Sequence, residues 1–163
     1  MAVLYDTYDI TFAEVPDEIS LSIAITNCQG RCEGCHSPHL RENIGSDLLL
    51  ALPELLDKYD GLITCVCFLG EGNDGQSLIE AIKIANNRGL KTCLYSGRES
   101  CDIYKYVKLD YLKTGPYIKD LGGLTTMGTN QRMYKITYPD TGEPKLENIT
   151  YIFRKNLLYP TAK

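Results

Sequence analysis

Ile19-Ser-Leu-Ser-Ile-Ala-Ile-Thr26 is the stretch whose reading decides the fold. It is rich in β-branched residues and alternates with period two. Ile19, Leu21, Ile23 and Ile25 therefore share one face of a strand. The strand runs into an irregular stretch, Asn27 to Ser46, that carries three closely spaced cysteines. Loops of that length inside a compact domain are usually functional.

Working outward, Tyr8–Val15 alternates loosely and reads as an opening strand. Downstream, Pro53 suits the first turn of a helix, and Leu52, Leu55, Leu56 and Tyr59 form its apolar stripe up to Asp60-Gly61. Leu62–Leu69 (LITCVCFL) is a near-continuous apolar run, the pattern of a strand covered on both faces. Gly70 to Gly75 is a glycine-rich turn. Ser77-x-x-Glu80 reads as a capping box for a helix carrying Leu78, Ile79, Ile82 and Ala85, which Gly89 stops. Leu90–Tyr95 is a further strand. Ser96-Gly97 turns the chain into a helix near Glu99–Lys105, and Asp110–Lys113 is a short strand. Met133–Tyr138 and Ile149–Phe153 complete the strands.

Strand–helix alternation predicts βαβ units with right-handed crossovers and a parallel sheet. About four units fit, too few for a closed eight-fold barrel of roughly 200 residues or more. The expectation is one α/β domain over residues 1–163, an open partial (β/α) barrel with mostly parallel strands. Ligands in such sheets gather beyond the carboxyl ends of the strands. The cysteine loop (27–46), Gly70–Gly75, Ser96-Gly97 and Lys113-Thr114-Gly115 are expected to converge there.

Composition bounds the function. The chain has 163 residues, 44% hydrophobic and 23% charged, with a formal net charge of −4. A nucleic-acid binder is more often basic, because phosphate neutralisation drives that binding; direct nucleic-acid binding is not expected. No run nears the ~18 apolar residues of a membrane span, so no membrane association is expected. Met1–Ile10 carries Asp6 and Asp9 and no basic leader, unlike a signal peptide. Cytoplasmic residence is the expectation, and there the seven cysteines stay reduced and point to metal or redox chemistry.

Cys28, Cys32 and Cys35 have the spacing C-x3-C-x2-C. Thiolates this close on a loop can fold around one inorganic core. Four would fill a 4Fe-4S cluster; three leave one iron open, and an open metal position marks a catalytic site. The competing reading is structural zinc, with His36 or His39 as fourth ligand. Zinc sites commonly use two paired knuckles, and no second C-x2-C pair exists here.

The three-cysteine motif after a strand resembles the radical S-adenosylmethionine superfamily. Cys35-His36-Ser37-Pro38 is similar to the Cys-His-Asn-Pro start of activases of glycyl radical enzymes. Asp110-Tyr-Leu-Lys-Thr-Gly-Pro-Tyr-Ile-Lys-Asp-Leu121, followed by Thr129-Asn130-Gln131-Arg132, resembles the tail of the anaerobic ribonucleoside-triphosphate reductase activating proteins. That family has Asp-x-Leu-x-x-Gly-x-Phe and then Gly-Ser-Ser-Asn-Gln-Arg.

The resemblance implies a radical-SAM type fold and a 4Fe-4S cluster on Cys28, Cys32 and Cys35 whose open iron binds S-adenosylmethionine. Reductive cleavage would yield a 5′-deoxyadenosyl radical that takes hydrogen from a glycine of the anaerobic reductase large subunit. The electron donor would be a flavodoxin or ferredoxin. Another glycyl radical enzyme as target, or a non-catalytic metal-binding module, are the alternatives.

The resemblance also implies supporting residues. Leu69-Gly70-Glu71-Gly72 stands where the superfamily has Gly-Gly-Glu, so Gly70 and Glu71 would face the methionine amino group; the alternative is a plain βα turn. Gly34 and His36 would lie along the adenine, although His36 also reads as an exposed loop histidine. Ser96 and Gly97 would meet ribose or carboxylate, unless they form a simple turn. Lys113 would pair with a carboxylate or be a solvated rim charge. Asn130, Gln131 and Arg132 would recognise the partner or close the site; many relatives have Arg-Gly ahead of them, where this chain has Met127-Gly128. Cys65, Cys67 and Cys93 read as core, and Cys101 has no assigned role.

Overall fold

The computed structural model describes residues 3–27, 40 and 42–153. Its strands are β1 (Leu4–Thr11), β2 (Ser20–Ile25), β3 (Ser46–Asp47), β4 (Cys65–Leu69), β5 (Lys91–Tyr95), β6 (Tyr111–Thr114), β7 (Arg132–Thr137) and β8 (Lys145–Asn148). The named helices are α1 (Leu48–Lys58) and α2 (Gly75–Asn87), with a 3-10 turn at Ile103–Lys105. All eight strands form one sheet in the order β3-β1-β2-β4-β5-β6-β7-β8.

The fold is α/β, with a mixed sheet where a mostly parallel one is expected. The pairs β2·β4, β4·β5 and β5·β6 are parallel. The four outer pairs, β1·β2, β1·β3, β6·β7 and β7·β8, are antiparallel. Connection chemistry explains the difference. A parallel pair needs a crossover, usually a helix. Helices α1 and α2 and the 3-10 turn supply three crossovers, one fewer than expected. The β6–β7 and β7–β8 connections contain no helix, so the chain turns back beside itself.

Alternation decides what each sheet face buries. Leu21, Ile23, Ile25, Val66, Phe68, Leu94 and Leu112 pack with Leu52, Leu56, Leu78 and Ile82 of the helices. Each fully buried leucine or phenylalanine contributes about 1.5–3 kcal/mol to this core. Cys65, Cys67 and Cys93 point the other way and pack with Val15, Leu124, Met133 and Ile149. Burial on both faces is why Cys65–Leu69, the part of the expected Leu62–Leu69 strand that forms β4, is apolar throughout.

Several boundaries move, each for a local reason. The opening strand is Leu4–Thr11, not Tyr8–Val15, because the chain turns at Val15–Glu18, with Asp17 in the left-handed region. Helix α1 starts at Leu48 because the Asp47 carboxylate accepts from the Leu49 and Leu50 amides, which leaves Pro53 inside the helix rather than in its first turn. Helix α2 is capped by Asp74, whose carboxylate takes both the amide and the hydroxyl of Ser77. The cap is thus three residues upstream of the Ser77–Glu80 pair. The expected helix near Glu99–Lys105 shrinks to the 3-10 turn. The last strand is Lys145–Asn148, not Ile149–Phe153: the Asn148 side chain accepts from the Thr150 amide and hydroxyl, and residues 151–153 are helical.

Candidate functional site

Register aligns one residue from each central strand into a row across the sheet: Ala24, Leu69, Tyr95, Lys113. The row lies at the carboxyl ends of the parallel strands. Just beyond it come Thr26-Asn27, Gly70-Glu71, Ser96-Gly97 and Thr114-Gly115. The described loops do converge, because parallel pairing puts every strand's exit on one edge.

The cysteine loop is pinned at both ends on that edge. The Asn27 amide donates to the Glu42 carbonyl at 3.1 Å, and its side-chain amide donates to Asn43 Oδ1 at 2.9 Å. Thr26 Oγ1 donates to the Ile44 carbonyl at 2.6 Å. Asn27 is in the left-handed region, φ 59°. Asparagine tolerates that conformation better than most residues. Cys28, Cys32, Gly34, Cys35 and His36 lie outside the described residues.

Glu71 and Ser96 meet each other. Ser96 Oγ donates to Glu71 Oε2 at 2.6 Å, Arg98 Nε donates to the same oxygen at 3.1 Å, and Arg98 Nη2 sits 2.9 Å from Oε1. The Cys101 thiol faces Oε1 at 3.8 Å. The carboxylate therefore ties the turn after β4 to the turn after β5. Gly70 holds φ 116°, and an added Cβ would meet only the Ile25 backbone and side chain at ordinary contact. It is glycine for its backbone angle rather than for crowding. Gly97 has open space around its Cα.

Lys113 is buried, with its ammonium on the carbonyls of Ser96 (3.2 Å) and Gly115 (2.8 Å) and above the Tyr95 ring. It is thus no solvated rim charge. Gly115 joins this cluster to the tail motif. Its carbonyl also accepts from Gln131 Nε2 at 3.5 Å, and Asn130 Nδ2 donates to the Pro116 carbonyl at 2.9 Å. Arg132 Nη1 folds back onto the carbonyls of Thr129 and Gln131. Asn130 and Gln131 thereby hold the turn after β6 to the start of β7, and Arg132 braces the residues just before β7.

Sequence reasoning gave no role to Arg98 or Cys101, and placed Gly115 on the rim without its link to Gln131. Only the polar run after Tyr95 hinted at the first. It read the other cysteines well: Cys65, Cys67 and Cys93 are buried, and burial raises the thiol pKa of Cys65 and Cys93 above its ordinary value, which keeps them protonated. Among the described residues, no group of three or more histidine, cysteine, aspartate or glutamate side chains is arranged to hold a metal ion.

Comparison with protein-family models, with curated proteins and with solved structures returns no match in any of the three. Among the described residues, no helix is long and apolar enough to cross a membrane.

Proposed function

We propose that this chain is a radical S-adenosylmethionine enzyme, an activase that generates a glycyl radical on an anaerobic ribonucleoside-triphosphate reductase. The observation that carries the reading is the pinning of segment 28–41. It leaves the sheet at Asn27 and returns at Glu42, on the edge where Gly70, Ser96 and Lys113 gather. The three-cysteine motif occupies that segment.

The donor set suits an iron–sulfur cluster. Cys28, Cys32 and Cys35 are three thiols at C-x3-C-x2-C spacing, whereas Cys65 and Cys93 are core thiols held protonated. The first three would hold a 4Fe-4S cluster, with S-adenosylmethionine on its open iron. When bound, the pair supplies a low-potential electron and a hydrogen-abstracting radical. The rest of the chain provides placement. Ala24, Leu69 and Tyr95 form a mostly apolar row. Lys113 brings positive charge to the rim, where a carboxylate would be favoured. The Glu71–Ser96–Arg98 tie keeps two adjacent turns at a fixed spacing. The central parallel strands accord with a partial barrel of radical-SAM type, in a cytoplasmic protein served by flavodoxin or ferredoxin.

The test is anaerobic reconstitution with iron and sulfide. A visible absorbance band, about four irons per chain and reductive cleavage of S-adenosylmethionine are expected. Co-expression with an anaerobic reductase should then give a glycyl radical signal by electron paramagnetic resonance. Tightly bound zinc without cleavage would establish the metal-binding module instead. Cleavage with a radical on a different glycyl radical enzyme would redirect the target.

A further inference from the structure

A second cleft, of about 350 Å³, lies at the opposite end of the central strands. Lys91 opens β5, Lys108 and Asp110 precede β6, and Lys135 faces Tyr111 across the β6·β7 pair; all of them line it. The charge there is unbalanced. Asp110 Oδ2 already accepts the Thr92 amide at 3.0 Å, and Oδ1 stands 3.9 Å from Lys108 Nζ. Glu18, on the far side of Tyr111, is engaged by the hydroxyls of Tyr111 and Thr64. Among the described residues, neither Lys91 nor Lys135 has a carboxylate within 4.0 Å.

Three ammonium groups thus line one concavity with a single, partly committed carboxylate, while Glu147 stands opposite Lys135 across the β7·β8 pair without lining it, in a protein whose net charge is −4. Like charges around a concave surface repel and raise the local potential, because low-dielectric walls focus the field. A bound polyanion relieves both effects. Thr137 adds a hydroxyl to the lining, and the Tyr138 wall is fixed by its hydroxyl, which accepts the Leu109 amide at 2.9 Å. The volume is at the lower end of small-ligand sites.

We propose that the cleft of Lys91, Lys108 and Lys135 binds the phosphate chain of a small molecule bearing a di- or triphosphate group. Free inorganic polyphosphate and a nucleotide share this chemistry. The site stands apart from the rim and does not depend on the activase reading.

The test is calorimetric titration of the full chain at low ionic strength with sodium tripolyphosphate, ATP and adenosine. Saturable one-to-one binding of both phosphate compounds is expected, with none for adenosine. Equal affinity for the two assigns the site to the phosphate chain alone; tighter ATP binding assigns it to a nucleotide. The double variant Lys91→Glu/Lys135→Glu should weaken binding by about 30-fold or more, and added salt should weaken the wild type. The control Lys83→Glu/Lys119→Glu changes net charge equally and should bind as wild type does. Thermal midpoints confirm that each variant is folded. The proposal is overturned if the wild type shows no saturable binding below about 1 mM, if the control weakens as much as the cleft variant, or if adenosine alone binds.

Discussion

The Asn27 amide donates to the Glu42 carbonyl at 3.1 Å, so the two residues that flank segment 28–41 meet beside the sheet. Asn27 stands two residues past the end of β2.

Asn27 should therefore matter twice. Asn27→Ala forces a Cβ-bearing residue without a local side-chain hydrogen bond into φ 59° and removes the bond to Asn43. The expected loss is about 1–3 kcal/mol in chemical denaturation. Asn27→Gly keeps the backbone angle and should lose less. Equal losses for the two would show that backbone angle is not what asparagine supplies.

Single replacement of Cys28, Cys32 or Cys35 by Ala should abolish S-adenosylmethionine cleavage. Cys65→Ala should cost about 1 kcal/mol of stability and leave the iron content unchanged. Loss of iron from the Cys65 variant alone would overturn the ligand assignment.

The Glu71–Ser96 contact predicts a coupling. Ser96 is buried and its hydroxyl meets a carboxylate at 2.6 Å. Ser96→Ala should destabilise by about 1–2 kcal/mol, and a double-mutant cycle with Glu71→Gln should return about 1 kcal/mol of interaction. Arg98→Met should cost no more than about 1 kcal/mol, because the guanidinium is largely exposed. Additive single changes would mean that the two turns are not tied through this pair.

Gly115 is the joint between the rim and the tail motif. It holds φ 100°, and an added Cβ would stand 3.1 Å from the Asn130 carbonyl oxygen and 3.1 Å from Gln131 Cα. Gly115→Ala should lower stability by about 2–3 kcal/mol, read as a drop in thermal midpoint. Gly97→Ala, with open space and no positive φ, should be close to neutral.

The buried thiols set a pH dependence. Burial raises the pKa of Cys65 and Cys93 above the ordinary 9.0. Above that value the unfolded chain releases these protons while the folded chain keeps them. The folded state then binds more protons, so stability falls as pH rises. Denaturation midpoints should hold steady from pH about 7 to 8.5 and decline above about 9. Cys65→Ala should flatten the decline; an equally steep profile in that variant would assign it to other groups, of which the buried Tyr111 shifts in the same direction.

Much of this was legible in the chain before any coordinates. The strand at Ile19–Thr26, the Cys65–Leu69 part of the apolar run that begins at Leu62, and the helix carrying Leu78, Ile82 and Ala85 lie where their patterns place them, because burial on one face or two leaves a direct imprint on sequence. Boundaries were less legible. Asp47, Asp74 and Asn148 each move an end by capping, and a side chain that can cap offers no periodic signal. The β6–β7 return was hidden as well, since pairing direction depends on whether a crossover helix forms.

The sequence by itself determined the three-cysteine spacing, the α/β character and the convergence of loops on one strand edge, because these follow from local pattern and from chain continuity. The tertiary structure alone decided that Glu71, Ser96 and Arg98 bind one another, that Lys113 is buried beneath the turns and that Gly115 links them to Gln131. Those partners lie 14 or more residues apart along the chain in every pair but Ser96–Arg98 and Lys113–Gly115. The parallel register of β4, β5 and β6 and the antiparallel β6·β7 pair bring them within hydrogen-bond reach.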